Sequence, residues 1–188
     1  MFFKKIEGLK ELGVIPRDIV NETLDLIHEY EWGYNKIRQK IYKQHEDTAT
    51  ILLRFKPPDV LKLESKGNLG NYNYSLCNYG LIKKYGTNIK KYVPYFGEFS
   101  DIAFMLVKLK AGGKIPLHID SGEYFDEGRR IHIPLQTNRK VLFQLGDRKF
   151  HMKRRRMYEI DNTHISHGVH NNSKEDRIHL IVDIFSMQ

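Results

Sequence analysis

The chain has 188 residues, 40% of them hydrophobic and 12% aromatic, which allows a substantial core and excludes an intrinsically disordered polypeptide. A single cysteine, Cys77, excludes an internal disulfide framework and a zinc site built from several cysteines, and it points to a reducing, cytoplasmic setting. The formal charge of +8 is scattered over small groups (Lys4–Lys5, Lys83–Lys84, Lys90–Lys91, Lys153 to Arg156) rather than drawn into a basic stripe, so charge alone does not indicate a nucleic-acid partner.

The N-terminal "MFFKKIEGLKEL" lacks the apolar region of a secretory signal, and no apolar run reaches membrane-spanning length. The expected organisation is one domain over 1–188, with a helical segment at 1–45 and a β core at 46–188. In the first part, Ile19, Leu24, Ile27, Tyr30 and Trp32 recur at roughly helical spacing. Pro16 and Asp18 fit a helix start, and Gly33 breaks the pattern before a further turn or two through Ile41. "TATILLRF" (48–55) reads as a strand stopped by Pro57–Pro58, and 64–80, rich in Gly and Asn with Tyr72, Tyr74 and Tyr79, as an ordered loop.

After Asp101 strand signals dominate. "IAFMLVKLK", "IPLHID", "RRIHIPLQT", "KVLFQL", "RKFHM", "MYEI", "HGVHN" and "RIHLIVDIF" follow one another with turn residues between them. Gly146–Asp147 separates two alternating runs and marks a hairpin. Short strands at this spacing, without helical periodicity, predict a barrel or a sandwich.

The chemistry-bearing residues concentrate in two places. In "HID", His118 and Asp120 are two apart on a predicted strand and therefore share a face. An inward aspartate needs a cation, which either a metal or Arg129 or Arg130 would supply. In "DNTHISHGVHNN", His164, His167 and His170 are each spaced to add a third ligand, and spacing does not choose among them. Two histidines and a carboxylate on one face of an octahedral iron(II) leave the remaining positions open. His28 and His45 are assigned no role.

His118-x-Asp120, then "RIHIPLQTN", then "MYEIDNTHISHGVHNNSKEDRIHLIVDIF" resemble the aspartyl/asparaginyl/prolyl β-hydroxylase family of iron(II)- and 2-oxoglutarate-dependent oxygenases. "HEDTATILLRF" resembles the strand by which that family's chains enter the core. The resemblance implies a mainly β fold with N-terminal helices, a double-stranded β-helix (jelly roll, cupin-like). The family's distal histidine stands ten residues before an arginine, and counting back from Arg177 gives His167. It follows from the resemblance that His118, Asp120 and His167 hold Fe(II), and that Arg177 binds the distal carboxylate of the cosubstrate 2-oxoglutarate, with Arg130 and His132 also contacting it. A salt bridge from Arg177 to Asp176 or Asp183 is the plainer alternative. Arg129 is then expected to face solvent, and Ser121 to Gly128 to form a mobile acidic loop with Glu123, Asp126 and Glu127 solvated.

The sequence departs from the pattern in two respects. Asp120 is present, whereas the animal members that act on secreted protein domains lack that carboxylate, so the chain is more similar to bacterial and phage members. "KRRRMYEI" replaces a Pro-Gly turn, so Arg154 to Arg156 either cap a solvated hairpin or meet an acidic partner. The implied reaction is hydroxylation of an unactivated C–H by O2, with 2-oxoglutarate converted to succinate and CO2. Its substrate would be a small molecule such as an amino acid, an Asp, Asn or Pro residue of a polypeptide, or an acyl chain. A non-catalytic cupin-like metal-binding module and a nucleic-acid oxygenase are the competing readings, and neither a nucleic acid nor a membrane is the expected partner.

Overall fold

The computed structural model describes residues 7–54, 79–99 and 101–185. Pro57–Pro58, the polar stretch through residue 78 with Tyr72 and Tyr74, and Cys77 lie outside these. Ten strands are described: β1 (Leu9–Val14), β2 (Thr48–Arg54), β3 (Asp101–Leu109), β4 (Lys114–His118), β5 (Gly128–Gln136), β6 (Val141–Leu145), β7 (Arg148–Phe150), β8 (Arg156–Ile160), β9 (His167–Asn171) and β10 (Arg177–Phe185). They form a six-stranded sheet ordered β1-β8-β5-β10-β3-β2 and a four-stranded sheet ordered β4-β9-β6-β7. Every strand pairing is antiparallel. The fold is the expected mainly β jelly roll.

Strand β10 shows how the sequence builds the two faces. Its nine residues are all buried, and it lies between β5 and β3. Because side chains alternate along a strand, Ile178, Leu180, Val182 and Ile184 share one face and Arg177, His179, Ile181 and Asp183 the other. The aliphatic face joins Ile131, Ile133 and Leu135 of β5 and Phe104 and Leu106 of β3 under two helices, α1 (Arg17–Leu26) and α3 (Tyr79–Lys90). Each fully buried branched side chain there contributes about 1.5–3 kcal/mol. The other face looks into the space between the sheets, where Leu109, Val141, Phe143, Leu145 and Val169 supply the apolar lining.

The N-terminal part differs from a purely helical segment. Besides α1, a 3-10 turn at Glu29–Gly33 and a short α2 (Ile37–Ile41), it contributes β1, which pairs with β8 at the sheet edge. "LKELGV" has neither a clear alternation nor a hairpin partner nearby, so only the long-range pairing makes it a strand. The Arg154–Arg156 turn fastens this segment rather than standing free. Arg154 donates to Leu135 O and Asn21 Oδ1, Arg155 donates to Ile15 O, and Arg156 pairs with Glu11. Helix α3, in a stretch where no element was expected, fastens it as well. Its Lys84 Nζ and Tyr85 hydroxyl each donate to the Glu31 carboxylate at 2.6 Å.

Burial alone would raise the Glu31 carboxyl, but hydrogen bonds from Lys84, Tyr85 and the His28 N–H outweigh it and hold it below its ordinary value. Its contribution is therefore complete above the unfolded carboxyl's pKa and is lost as pH falls through the lower folded value. Replacing Glu31 with Gln should cost about 1–3 kcal/mol, read as a lower urea midpoint at pH 7. The gap between variant and wild type should close in acid. A gap that persists unchanged at pH 2 would show that the charge is not what matters.

The hairpin at Gly146–Asp147 forms between β6 and β7, with Gly146 at φ 55°. Residues 123–127, expected as a mobile loop, instead form one short helical turn, α4 (Glu123–Glu127). Glu123 and Asp126 are on its exposed side, while the Tyr124 hydroxyl donates to Asp183 Oδ2 at 2.9 Å. No helix among the described residues is long and apolar enough to cross a membrane.

Candidate active site

His118 ends β4 and His167 opens β9, and the two are direct cross-strand partners. Their rings lie 4.3 Å apart between centroids. Asp120, two residues past His118, is held by its own N–H to Asn162 O at 2.9 Å, which turns its carboxylate back onto both rings. Asp120 Oδ1 is 3.6 Å from His118 Nε2, and Oδ2 is 3.8 Å from His167 Nε2. One donor atom from each of the three residues lies within 4.8 Å of the others. The pairing register thus selects among the three candidate histidines. His164 is exposed and hydrogen-bonded to Asp161 Oδ1, and His170 faces outward.

The surroundings fix how each group can act. His118 Nδ1 lies 2.8 Å from Pro116 O and must donate to it, so Nε2 is the nitrogen that faces the cluster. Burial lowers His167 to about 4, with Asp120 opposing and His118 and Arg130 reinforcing the fall, so this ring is neutral at pH 7. Burial would raise Asp120, but Arg130 first, then His167 and the Asn162 amide, hold it far below the usual carboxylate range. Asn162 Nδ2 donates to Asp120 Oδ2 at 2.9 Å.

Arg130 is buried and ties two carboxylates together. Nη1 donates to Asp120 Oδ2 at 2.6 Å, while Nε and Nη2 form a fork on Asp183, both at 2.8 Å. Arg130 and Asp183 are cross-strand partners of β5 and β10. The Phe125 ring of α4 covers the guanidinium at 4.8 Å. Arg129 does point to the opposite face, but not to solvent: it forks onto the buried Glu159 carboxylate at 2.8 and 2.6 Å. The expectation of a solvated Arg129 is corrected by that buried acceptor, which an exposed arginine would leave uncompensated.

Deeper in the same interior sit His132, His179 and Arg177, 5%, 2% and 1% exposed. The His132 ring meets the Phe143 and His179 rings edge-on, at 5.6 and 5.8 Å. Phe143 in turn stacks on His167 at 6.3 Å, so this pocket and the His–Asp–His cluster share a wall. Arg177 donates from Nη2 to His179 Nδ1 at 2.5 Å. It makes no salt bridge among the described residues: Asp183 is bound to Arg130, and Asp176 serves Lys108 and the Ala111 N–H. Arg177 Nε, His179 Nε2 and both ring nitrogens of His132 are enclosed without a hydrogen-bond partner. Burial, and secondarily Arg38, depress Arg177 to about 9, which still leaves it charged at neutral pH.

Asn162, Asp183, Tyr124, Phe125, Arg38 and His45 were not legible as site residues. Of these only Asp183 carried a local signal, being an acid within the otherwise apolar run 180–185.

The two ligand-bearing strands leave no room for a side chain at Gly168. A Cβ there would lie 2.7 Å from Ile115 O and 3.1 Å from Leu117 N, both backbone atoms. Gly168→Ala must therefore push β9 from β4 and part His167 from His118. We expect a loss of about 1–3 kcal/mol in chemical unfolding and at least a ten-fold weaker affinity for a divalent metal. Unchanged metal affinity would mean that the strand spacing is not what sets the cluster.

Fold and site define an antiparallel jelly roll whose interior presents a His–Asp–His cluster and, across a shared aromatic wall, a buried arginine with no salt-bridge partner among the described residues. Residues 70–186 match the family model described as aspartyl/asparaginyl β-hydroxylase, more than half of the chain. The chain belongs to that family. Among curated proteins, none matches closely enough to count as a relative. Among solved structures, the viral collagen prolyl hydroxylase of Paramecium Bursaria Chlorella virus-1, a 2OG complex, is similar over 97% of both chains, with 9% identity and a TM-score of 0.52. A cupin domain of Cnp3 from Schizosaccharomyces pombe is 18% identical over 48% of this chain and 61% of its own, with a TM-score of 0.38. A cupin domain from Bordetella pertussis Tohama I is 14% identical over 47% of this chain and 86% of its own, with a TM-score of 0.37.

Proposed function

We propose that the chain is an Fe(II)- and 2-oxoglutarate-dependent hydroxylase, in which His118, Asp120 and His167 hold the metal and Arg177 receives the cosubstrate's distal carboxylate. The observation that carries this reading is Arg177. A fully buried guanidinium without an anion is costly, and its location beside the cluster makes an entering carboxylate the compensating group. The donor set fits as well: two imidazole nitrogens and one carboxylate oxygen suit a divalent first-row metal that must keep positions open. The neighbour solved as a 2OG complex supports the same choice of cosubstrate. Bound iron and 2-oxoglutarate would supply the activation of O2, with the keto acid leaving as succinate and CO2.

The chain's own residues do the rest. Arg130 and Asn162 fix the Asp120 carboxylate, and the Pro116 carbonyl fixes the His118 tautomer. His179, accepting from Arg177 through Nδ1, must carry its proton on Nε2, so Arg177 and His179 together offer two free N–H donors to a carboxylate. His132 is kept neutral by burial first and then by Arg177 and Arg130, and it offers one donor and one acceptor in the same pocket. Its role, like that of Arg130, reads as positioning: Arg130's Nε, Nη1 and Nη2 are all engaged by carboxylates. Phe143 and Phe125 keep water from these charges.

The test is an anaerobic titration of metal-free protein with Fe(II) and then 2-oxoglutarate, following the visible metal-to-ligand charge-transfer band. The band should develop in the wild type and be absent in His167→Ala. Metal binding without any band would instead favour a binding module without cosubstrate.

A further inference from the structure

Two arginine–histidine pairs face this interior, and the proposed cosubstrate uses only the deeper one. The other comes from the N-terminal segment. Arg38 of α2 donates from Nη2 to His45 Nε2 at 3.1 Å, and the His45 ring stands edge-on to that of His118, 5.4 Å away. A guanidinium can only donate, so His45 Nε2 must accept. With Nε2 accepting, the ring's one proton sits on Nδ1. Both Arg38 Nη1 and His45 Nδ1 are enclosed, and neither has a hydrogen-bond partner among the described residues. His45 itself is 4% exposed.

Arg38 makes no salt bridge with a described carboxylate. Asp120 and Asp183 lie close enough for their charges to act on it, but both are hydrogen-bonded to Arg130 instead. Its guanidinium and that of Arg177 repel one another across the site. The next residue, Gln39, adds an acceptor. Thr48 Oγ1 donates to His45 O and so must accept from the Gln39 amide nitrogen, which leaves Gln39 Oε1 as an enclosed, unpartnered acceptor. Two orphan donors and a guanidinium charge, with the His45 ring against a proposed metal ligand, are complementary to a carboxylate, and the orphan acceptor of neighbouring Gln39 is complementary to an N–H.

Resting on the hydroxylase reading above, we infer that Arg38 Nη1 and His45 Nδ1, beside His118, form the docking site for a carboxylate of the primary substrate. The second guanidinium thus serves the molecule to be hydroxylated. The distal carboxylate of 2-oxoglutarate and the substrate's carboxylate thus each meet an arginine that has no salt-bridge partner among the described residues. Gln39 Oε1 accepts an N–H of the same substrate.

The experiment is anaerobic calorimetry on protein loaded with Fe(II) and 2-oxoglutarate, repeated on metal-free protein. The probes are the free protein amino acids, their carboxamides, and capped tripeptides with a central Asp, Glu, Asn or Pro. At least one carboxylate probe should bind, with its carboxamide or the neutral tripeptide at least about ten-fold weaker. Binding by free acids indicates the α-carboxylate, and binding by Asp or Glu tripeptides a side-chain carboxylate. Arg38→Gln should erase the discrimination between acid and amide, and Arg38→Lys should restore part of it. Arg38→Gln should leave the 2-oxoglutarate band intact and the ligand-free melting temperature equal to or above wild type, since it removes an unpaired charge. The inference is overturned if no probe binds, if Arg38→Gln still discriminates, if it abolishes the 2-oxoglutarate band, or if its melting temperature falls. A wild type that never gives the band sinks the hydroxylase reading, and the metal-free titration then decides this inference on its own.

Discussion

Arg130→Gln should be among the most damaging single substitutions in the site, costing about 3–5 kcal/mol of stability. The arginine neutralises two carboxylates at once, Asp120 and Asp183, which are 9% and 2% exposed. Without it, the hydrogen bonds that remain to them among the described residues are those of Asn162 on Asp120 and Tyr124 on Asp183. Two buried anions so poorly compensated must take up protons or drag water inward, and either outcome weakens β5 against β10. The measurement is a urea unfolding curve, with the slope checked so that a changed unfolded state is not mistaken for lost stability. Since Asp120 would lose its main anchor, affinity for Fe(II) should also fall by about 10–100-fold. A variant that unfolds like the wild type would show that Arg130 is not what holds these carboxylates.

Arg177→Gln is expected to act in the opposite sense on stability. The cation it removes has no salt-bridge partner among the described residues, so unfolding should be unaffected or shifted to higher denaturant. The loss appears in binding. A two-point, charge-assisted contact with a carboxylate inside an enclosed pocket is worth about 3 kcal/mol, a weakening of 2-oxoglutarate by at least about 100-fold. Fe(II) affinity should stay near wild type, because the metal cluster's contacts do not include Arg177. Read together, an unchanged metal titration, a lost charge-transfer band at moderate 2-oxoglutarate and an undiminished melting temperature identify a binding arginine. A large drop in stability would instead identify a structural one.

Much of the β core was legible because the information is local. "RIHLIVDIF" alternates a wholly aliphatic face with a face carrying Arg177, His179 and Asp183, and that period of two fixes both the strand and the side on which its chemistry lies. His118-x-Asp120 announced a shared direction for the same reason, and Gly146 announced a hairpin through its backbone freedom. The family resemblance added the choice of His167. Its partners are a different matter. His164, His167 and His170 are alike in type and spacing, and what separates them is that β9 pairs with β4 in the register that opposes His167 to His118.

The N-terminal contribution was hidden for a related reason. "LKELGV" becomes β1 only because β8, far along the chain, presents an open edge, and the stretch through Lys90 becomes a helix that closes over the large sheet. Arg38 and His45 carry no local mark at all. They matter because the His45 ring lies against His118, and because the carboxylates whose charges reach Arg38, Asp120 and Asp183, are hydrogen-bonded to Arg130 instead. The sequence by itself determined which faces of which strands would be polar, since side-chain direction alternates with a period set by the backbone. Which polar groups find partners, and which two arginines remain uncompensated for a ligand to satisfy, only the tertiary structure decided, because that depends on contacts between segments that no local period encodes.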